Sequence, residues 1–497
     1  MKEAMAQKQE KRPTKQKQKQ ALKKLKDKLE AQQLAVKEKK LPVLVLLEGW
    51  GASGKGDLLR SIISCIDPRF FSVEVMETAP TEEEKRMPFM YRYMKALPEG
   101  GEFAFLEAGW MTQLLREKLA LGMEEDLYQE RLQSVRIFER QLADNGYLVL
   151  KFFLSIGEQK QKARLKKMEE NPETAWRVSR FDRWQNKNYS RYEKAAEDFM
   201  ESTHTPSCPW YQIDGEKRKK AQFQVLSILT QAIDKRLAQG AGGAPVLEDD
   251  LPVIPPGPLR EVELDKRIGK KEYKEKLRAL QERLGELHNI LYLRKIPVVI
   301  LYEGWDASGK GGNIKRVAKA LDPRGYRVIP IASPRPWEKN RYYLWRFWVR
   351  LQRSGHVTIF DRSWYGRVMV ERIEGFCSEK DWRRAYREIN EFERELVNWG
   401  AIVLKFWLQI DSKTQLERFE ERQRDPRKQW KITEEDWRNR KKWSAYEGAV
   451  DQMLEKTSTA YAPWHLIPSV DKKYARIETL ERIIQAVEKR LKQAERR

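Results

Sequence analysis

The chain repeats itself, and the repeat restricts the folds open to it to those that accommodate one unit twice. LPVLVLLEGWGASGKG at 41–56 lies over IPVVILYEGWDASGKG at 296–311. Asp67-Pro68-Arg69 lies over Asp322-Pro323-Arg324, VLKFFLSI at 149–156 over VLKFWLQI at 403–410, and Pro209-Trp210 over Pro463-Trp464. The offset stays between 254 and 255 residues throughout. A register held over that span is an internal duplication.

Each copy predicts the same succession of elements. A basic amphipathic helix comes first, with Leu277, Leu280, Leu284, Leu287 and Leu291 at helical spacing in the second copy. The apolar run Val298-Val299-Ile300-Leu301 has the character of a parallel strand covered on both faces. A glycine loop and a helix follow, then a strand Val357-Thr358-Ile359-Phe360 ending in Asp361, and a third strand over 401–408. Strands alternating with helices predict an α/β fold, a parallel sheet flanked by helices in each copy. The Gly- and Pro-rich stretch 238–258 divides the chain. The expected organisation is a basic N-terminal arm or helix at 1–40, a first copy at 41–237, a linker at 238–258 and a second copy at 259–497.

The formal net charge of +23 calls for an anionic partner: nucleic acid, an acidic membrane surface, or a phosphate-rich molecule. Cys65, Cys208 and Cys377 are scattered, and the four histidines have no metal-ligand spacing, which argues for a reducing compartment and against structural zinc. No apolar run approaches a membrane span, and the Lys- and Gln-rich N-terminus lacks the apolar core of a signal peptide. The expectation is a cytoplasmic protein without a membrane partner; whether it forms a homo-oligomer stays open.

Gly304-Trp305-Asp306-Ala307-Ser308-Gly309-Lys310-Gly311 has the spacing of a Walker A phosphate loop and sits between a buried strand and a helix. Its glycines let backbone N–H groups wrap a phosphate while Lys310 supplies charge. The residue after Lys310 is Gly311, where such loops usually place a hydroxyl on magnesium. The metal must then be held elsewhere, and Asp306 and Asp361 are the candidate oxygen ligands. The alternative for Asp306 is a turn-stabilising residue. Asp361 opens Asp361-Arg362-Ser363-Trp364-Tyr365-Gly366-Arg367, a strand-terminal carboxylate with Arg362 and Arg367 as cations for phosphoryl oxygens; the alternative for both arginines is salt bridging. A basic stretch over 418–446, interleaved with Trp430, Trp437 and Trp443, fits a lid, a nucleic-acid patch or a solvated helical pair with an aromatic seam.

In the combination EGWDASGKGG, FDRSWYGR and DPRKQWKIT the sequence resembles the polyphosphate kinase 2 family, twice over and across essentially the whole chain. The resemblance implies a thymidylate-kinase-like P-loop fold with a helical lid, and Mg²⁺-assisted transfer of a terminal phosphoryl group between inorganic polyphosphate and a nucleotide. Tandem members are associated with phosphorylating AMP to ADP, so polyphosphate and AMP are the expected substrates. Carried over by residue, Gly304, Ser308, Gly309, Lys310 and Gly311 hold phosphates, Asp306 and Asp361 hold Mg²⁺, and Arg362 and Arg367 neutralise the transferring group. Lys431, Arg440 and Lys441 become lid cations. The first copy departs where this matters: Gly51 stands for Asp306, Asp57 for Gly312, and LEAGWMTQ at 106–113 for FDRSWYGR, although Lys55 and Glu107 remain. It is expected to be catalytically silent. Two other readings stay open: the same chemistry on a nucleoside diphosphate or in reverse, and a nucleic-acid-binding P-loop protein. The latter draws on the arm 1–40, with 14 Lys/Arg against 5 Asp/Glu, but no recognised nucleic-acid module is present.

Overall fold

The computed structural model describes residues 15–76, 79–239 and 252–495. These divide into two compact units that follow the two copies, except that 80–95 belong with the second unit and 340–342 with the first.

In the first unit the strands are β1 (Val43–Gly49), β2 (Phe71–Val75), β3 (Phe103–Glu107), β4 (Leu148–Ser155) and β5 (Trp210–Asp214). In the second they are β6 (Val298–Gly304), β7 (Tyr326–Pro330), β8 (Val357–Asp361), β9 (Ile402–Gln409) and β10 (Trp464–Pro468). Every pairing is parallel, and the order is β2-β3-β1-β4-β5 in one unit and β7-β8-β6-β9-β10 in the other. The apolar runs seen in the sequence are the inner strands: β9 is buried along its whole length and β6 up to its final glycine. The edge strands β7 and β10 are half-exposed and interrupted by polar residues, so no apolar run announces them.

Chain order and spatial order part company around β6, whose neighbours are β8 and β9. Such switch points open a crevice at the carboxyl ends of the strands, the usual ligand position in doubly wound sheets. In the second unit that crevice receives the loop after β6 and the Asp361 end of β8.

The Lys15–Glu38 helix is a packed element rather than a free arm: Leu29 and Val36 are fully buried in the first unit's core, with Leu22 and Leu25 against it. Residues 1–14 of the expected arm lie outside the described residues. Leu284, Leu287 and Leu291 of the Lys270–Leu293 helix do the same for the second unit. Of the expected linker, 240–251 lie outside the described residues. The part that follows is tied to the second unit, where Val253 forms an antiparallel bridge with Thr459 and Ile254 N–H donates to the Ser458 carbonyl.

Candidate active site

The phosphate loop of the second unit is shaped by two glycines. Gly304 has φ +143°, and a Cβ there would stand 2.6 Å from the Leu408 carbonyl oxygen of β9. Gly309 has φ +111° and caps the Lys310–Ala320 helix. The outer side of the loop is clamped by Arg418, whose guanidinium donates to the carbonyls of Ala307, Ser308, Ser469 and Val470 at 2.7–3.2 Å. Lys310 Nζ curls over the loop and donates to the carbonyls of Gly304 at 2.6 Å and Trp305 at 3.2 Å. Partial burial lowers its pKa, while Asp306 and Asp361 act in the opposite direction, so both carboxylates bear on the lysine charge.

Asp306 is held from two sides. Arg362 Nη2 donates to Oδ1 at 3.1 Å, and Asn439 Nδ2 donates to Oδ2 at 3.1 Å. Arg362 adopts a left-handed backbone with φ 66°, rare for a residue with a side chain, and its N–H donates to Tyr302 O at 3.0 Å. Behind the loop, Glu303 accepts from Ser363 Oγ at 2.7 Å, and burial raises its pKa.

Glu303, Asp306, Lys310, Arg362 and Asn439 line an open cleft. Gly304, Asp306, Lys310 and Arg362 form its polar end, and Trp305, Met369, Val370, Trp407, Trp443 and Tyr446 its apolar wall. The lid reaches the loop through a ring stack, Trp443 on Trp305 at 3.7 Å between centroids. It is also held at Glu374, which pairs with Lys442 at 3.0 Å and Arg438 at 3.3 Å. Arg440 lines the cleft and donates to Ser412 O and Gln415 Oε1.

Not every candidate gathers there. Arg367 is turned to Glu371 at 2.7 Å and lies over the Tyr343 ring, outside the cleft lining. Lys431 sits over exposed Trp430, and Lys441 is exposed at the end of the Glu434–Lys441 helix. Asn439 and Gln415, which touch Asp306 by its side chain and its carbonyl, were not singled out by sequence. Asn439 lies inside the basic stretch, but an uncharged residue there carries no visible signal.

Among the described residues no three His, Cys, Asp or Glu side chains gather to hold a metal by themselves. Asp306 and Asp361 both act on the Lys310 charge, and Asp361 lies outside the cleft lining; each offers only carboxylate oxygens. That suits a hard cation which takes one or two carboxylates and completes its shell with phosphate oxygens and water.

The corresponding place in the first unit is filled by its own side chains. Lys55 is buried and donates to Trp50 O at 3.0 Å. A Cβ on Gly51 would stand 2.1 Å from Asp182 Oδ1, and Gly51 N–H donates to Gln185 Oε1 at 2.9 Å. Trp50 stacks on Tyr189 at 4.1 Å, and Ala108 keeps the left-handed φ of 59° without a guanidinium to aim.

Residues 12–240 and 267–495 each match the Polyphosphate kinase 2 family. The chain is 39% identical over 466 residues to the polyphosphate:AMP phosphotransferase of Pseudomonas aeruginosa, covering 93% of each chain. It is 36% identical over 451 residues to that of Acinetobacter johnsonii, covering 89% of this chain and 90% of the relative. A crystal structure of a Pseudomonas aeruginosa protein assigned to polyphosphate kinase 2 superposes with a TM-score of 0.84 at 37% identity, over 97% of this chain and 98% of that one. With two phosphate-loop units matched end to end, the chain belongs to the polyphosphate kinase 2 family.

Proposed function

We propose that the second unit transfers the terminal phosphoryl group of inorganic polyphosphate to AMP, giving ADP, and that the first unit is structural. The observation that carries this reading is the contrast between the two loops. Lys310, Asp306 and Arg362 converge on an open cleft in one, whereas Gly51, Ala108 and a docked Gln185 stand in the other. Full-length relatives named polyphosphate:AMP phosphotransferase support AMP as the acceptor. In this reading 259–497 is the catalytic part, 41–237 the silent copy, 1–40 a basic N-terminal element and 238–258 the connection. In this reading the reaction is cytoplasmic and needs neither nucleic acid nor a membrane.

An oxygen of the AMP phosphate attacks the terminal phosphorus of the chain in line. A new P–O bond forms, the bridging P–O bond breaks, and the shortened polyphosphate leaves with the bond electrons. No covalent enzyme intermediate is required, and catalysis rests on fixed charge where the transferring group spreads its own. Loop N–H groups and Lys310 hold the donor's end, and Arg362, oriented by Asp306, faces the transferring group. Asp306 and Asp361 would hold Mg²⁺, which supplies further charge neutralisation when bound. Arg367 would have to leave Glu371 to take part, and Lys431, Arg440 and Lys441 would act on lid closure.

The test is turnover of purified protein with polyphosphate, Mg²⁺ and either AMP or ADP. ADP formation from AMP should be much faster than ATP formation from ADP. The opposite ratio would move the protein to diphosphate phosphorylation.

A further inference from the structure

The lid touches the phosphate loop through the Trp443 ring on Trp305, Gln415 on the Asp306 carbonyl and Asn439 on the Asp306 carboxylate. The last of these contacts bears on the group that orients Arg362: Asp306 Oδ2 accepts from Asn439 at 3.1 Å while Oδ1 accepts from the guanidinium. A carboxylate only accepts, so Asn439 must turn its NH2 towards Asp306, which leaves the amide oxygen for another donor. The Tyr446 hydroxyl supplies it, standing 3.3 Å from Asn439 Oδ1 and 3.3 Å from Glu374 Oε1. Glu374 follows the Val370–Ile373 helix, its side chain is 6% exposed, and its other oxygen holds Lys442 and Arg438 of the lid. One chain of polar contacts therefore runs from Glu374 through Tyr446 and Asn439 to Asp306 and on to Arg362.

The first copy docks its lid by the same positions and without a charge. At the 254-residue offset Gln161 stands for Gln415 and Gln185 for Asn439. Gln161 Nε2 donates to Gly51 O at 3.3 Å, as Gln415 does to Asp306 O at 3.2 Å. Gln185 is buried and accepts from Gly51 N–H at 2.9 Å, since Gly51 offers no side chain. Ala120, Trp184 and Asn188 stand for Glu374, Arg438 and Lys442, so these positions of the first copy carry no ion pair. In the second copy the amide has moved from the loop's backbone to its carboxylate, in a half-buried contact that can be traded for water.

We propose that Asn439 is a positioning residue that latches the lid onto Asp306, so that lid closure and the fixing of the carboxylate that orients Arg362 are a single step. Asn439 acts through Asp306, and Tyr446 and Glu374 hold it in place. The proposal rests on the phosphotransfer reading above. With the lid away, Asp306 loses one of its two side-chain donors and can rotate off Arg362; with the lid down, both carboxylate oxygens are fixed. The guanidinium that meets the transferring group is then set only when the cleft is covered, which keeps the phosphoryl group from water.

Three full-chain variants test it. Asn439→Ala removes the contact, Asn439→Asp sets two carboxylates face to face, and Asp306→Asn/Asn439→Asp exchanges amide and carboxylate across the same contact. Backbone hydrogen exchange over 434–446 in magnesium-free, substrate-free protein reads the lid, and steady-state kinetics reads the site. In Asn439→Ala that exchange should quicken about five-fold or more, and kcat should fall about ten-fold with both KM values within about three-fold of wild type. Exchange should be faster still in Asn439→Asp. It should return close to wild type in the double variant, whose turnover stays low because the charge at position 306 is gone. A change in exchange without one in kcat, or the reverse, would overturn the coupling, as would a double variant that exchanges as fast as Asn439→Asp. If wild type accepts ADP rather than AMP and the variants behave as stated with ADP, the AMP reading fails and the latch stands. If wild type makes ADP from AMP and Asn439→Ala matches it in both readouts, the latch fails alone. If wild type transfers no phosphoryl group, both fail.

Discussion

Asp306 Oδ1 accepts from Arg362 Nη2 at 3.1 Å, joining the carboxylate inside the phosphate loop to the arginine that follows the β8 carboxylate. The pair joins the chain segments that leave the paired strands β6 and β8. The left-handed turn at Arg362, which costs on the order of 1–3 kcal/mol, brings the guanidinium back over the loop. The first unit retains the turn at Ala108 and has lost both members of the pair.

Asp306→Asn follows from this geometry. The amide keeps the size of the side chain, so the fold should persist. It gives up the charge that orients Arg362 and would bind a cation. Turnover should fall by roughly 10²-fold or more, the order seen when a single charge-stabilising group is removed. The magnesium concentration for half-maximal rate should rise. Initial ADP formation measured across a magnesium series checks both, and an unchanged curve would take Asp306 out of the site.

Local features of the site were legible in sequence because local spacing encodes them. Gly304, Gly309 and Lys310 announce a phosphate loop within eight residues, and Asp361 stands out as a carboxylate after an apolar run. Asn439 was not legible, because its bond to Asp306 joins residues 133 apart and depends on where the lid docks. The edge strands β7 and β10 give no such signal for a different reason: both are only partly buried, so neither needs an unbroken apolar run. Lys405 inside VLKFWLQI is the one charged residue of β9. The structure shows it fully buried, with all its hydrogen-bonding capacity used.

That lysine supports a stability prediction. Lys405 Nζ donates to Glu393 Oε2 at 2.7 Å, Tyr365 Oη at 2.8 Å and Thr457 O at 2.6 Å. The first unit has the same arrangement in Lys151, Glu139 and Thr203 O. Burial raises the pKa of Glu393, with Lys405 opposing, so removing the lysine would strand a buried acid. Lys405→Met should destabilise the second unit by about 3–5 kcal/mol, and Lys405→Met/Glu393→Leu should recover a large part of that. Urea unfolding of the three proteins checks it. A double variant no better than the single would mean that packing around Lys405, rather than its charge, sets the cost.

Glu48, at the base of the first loop, gives a pH-dependent outcome. It is fully buried, and burial raises its pKa to about 7 from an ordinary 4.5, against hydrogen bonds from Thr112 and Met111 and the charge of Lys55. The folded state therefore binds this proton more tightly than the unfolded chain. The carboxyl's contribution is unaffected below about pH 4.5, worsens as pH rises, and is at its worst above about 7, where the penalty is about 3 kcal/mol. Glu48→Gln keeps an oxygen for the Met111 and Thr112 N–H groups and offers an N–H to Thr112 Oγ1. Its Tm advantage over wild type should be larger at pH 8 than at pH 5. An advantage independent of pH would show that Glu48 does not titrate in this range.

The two phosphate-loop lysines offer the most direct comparison. Lys310 and Lys55 bend onto the same two carbonyls of their own loops, so their local geometry is alike. What differs is the company each keeps. Lys310 shares its cleft with Asp306 and Arg362, and Asp361 acts on its charge. Lys310→Ala should remove roughly 3–5 kcal/mol of transition-state stabilisation, or about 10²–10⁴ in rate. Lys55 has Gly51 and Ala108 in those places, and its loop is covered by Gln185 and by the Trp50–Tyr189 stack. Lys55→Ala should change AMP phosphorylation by less than a few-fold, although its loss leaves Glu48 without a nearby cation and should lower the first unit's stability. The measurement is ADP formation by each variant at saturating polyphosphate and AMP, with thermal unfolding to establish that both are folded. A collapse of turnover in well-folded Lys55→Ala protein would bring the first unit into the reaction and overturn its assignment as structural.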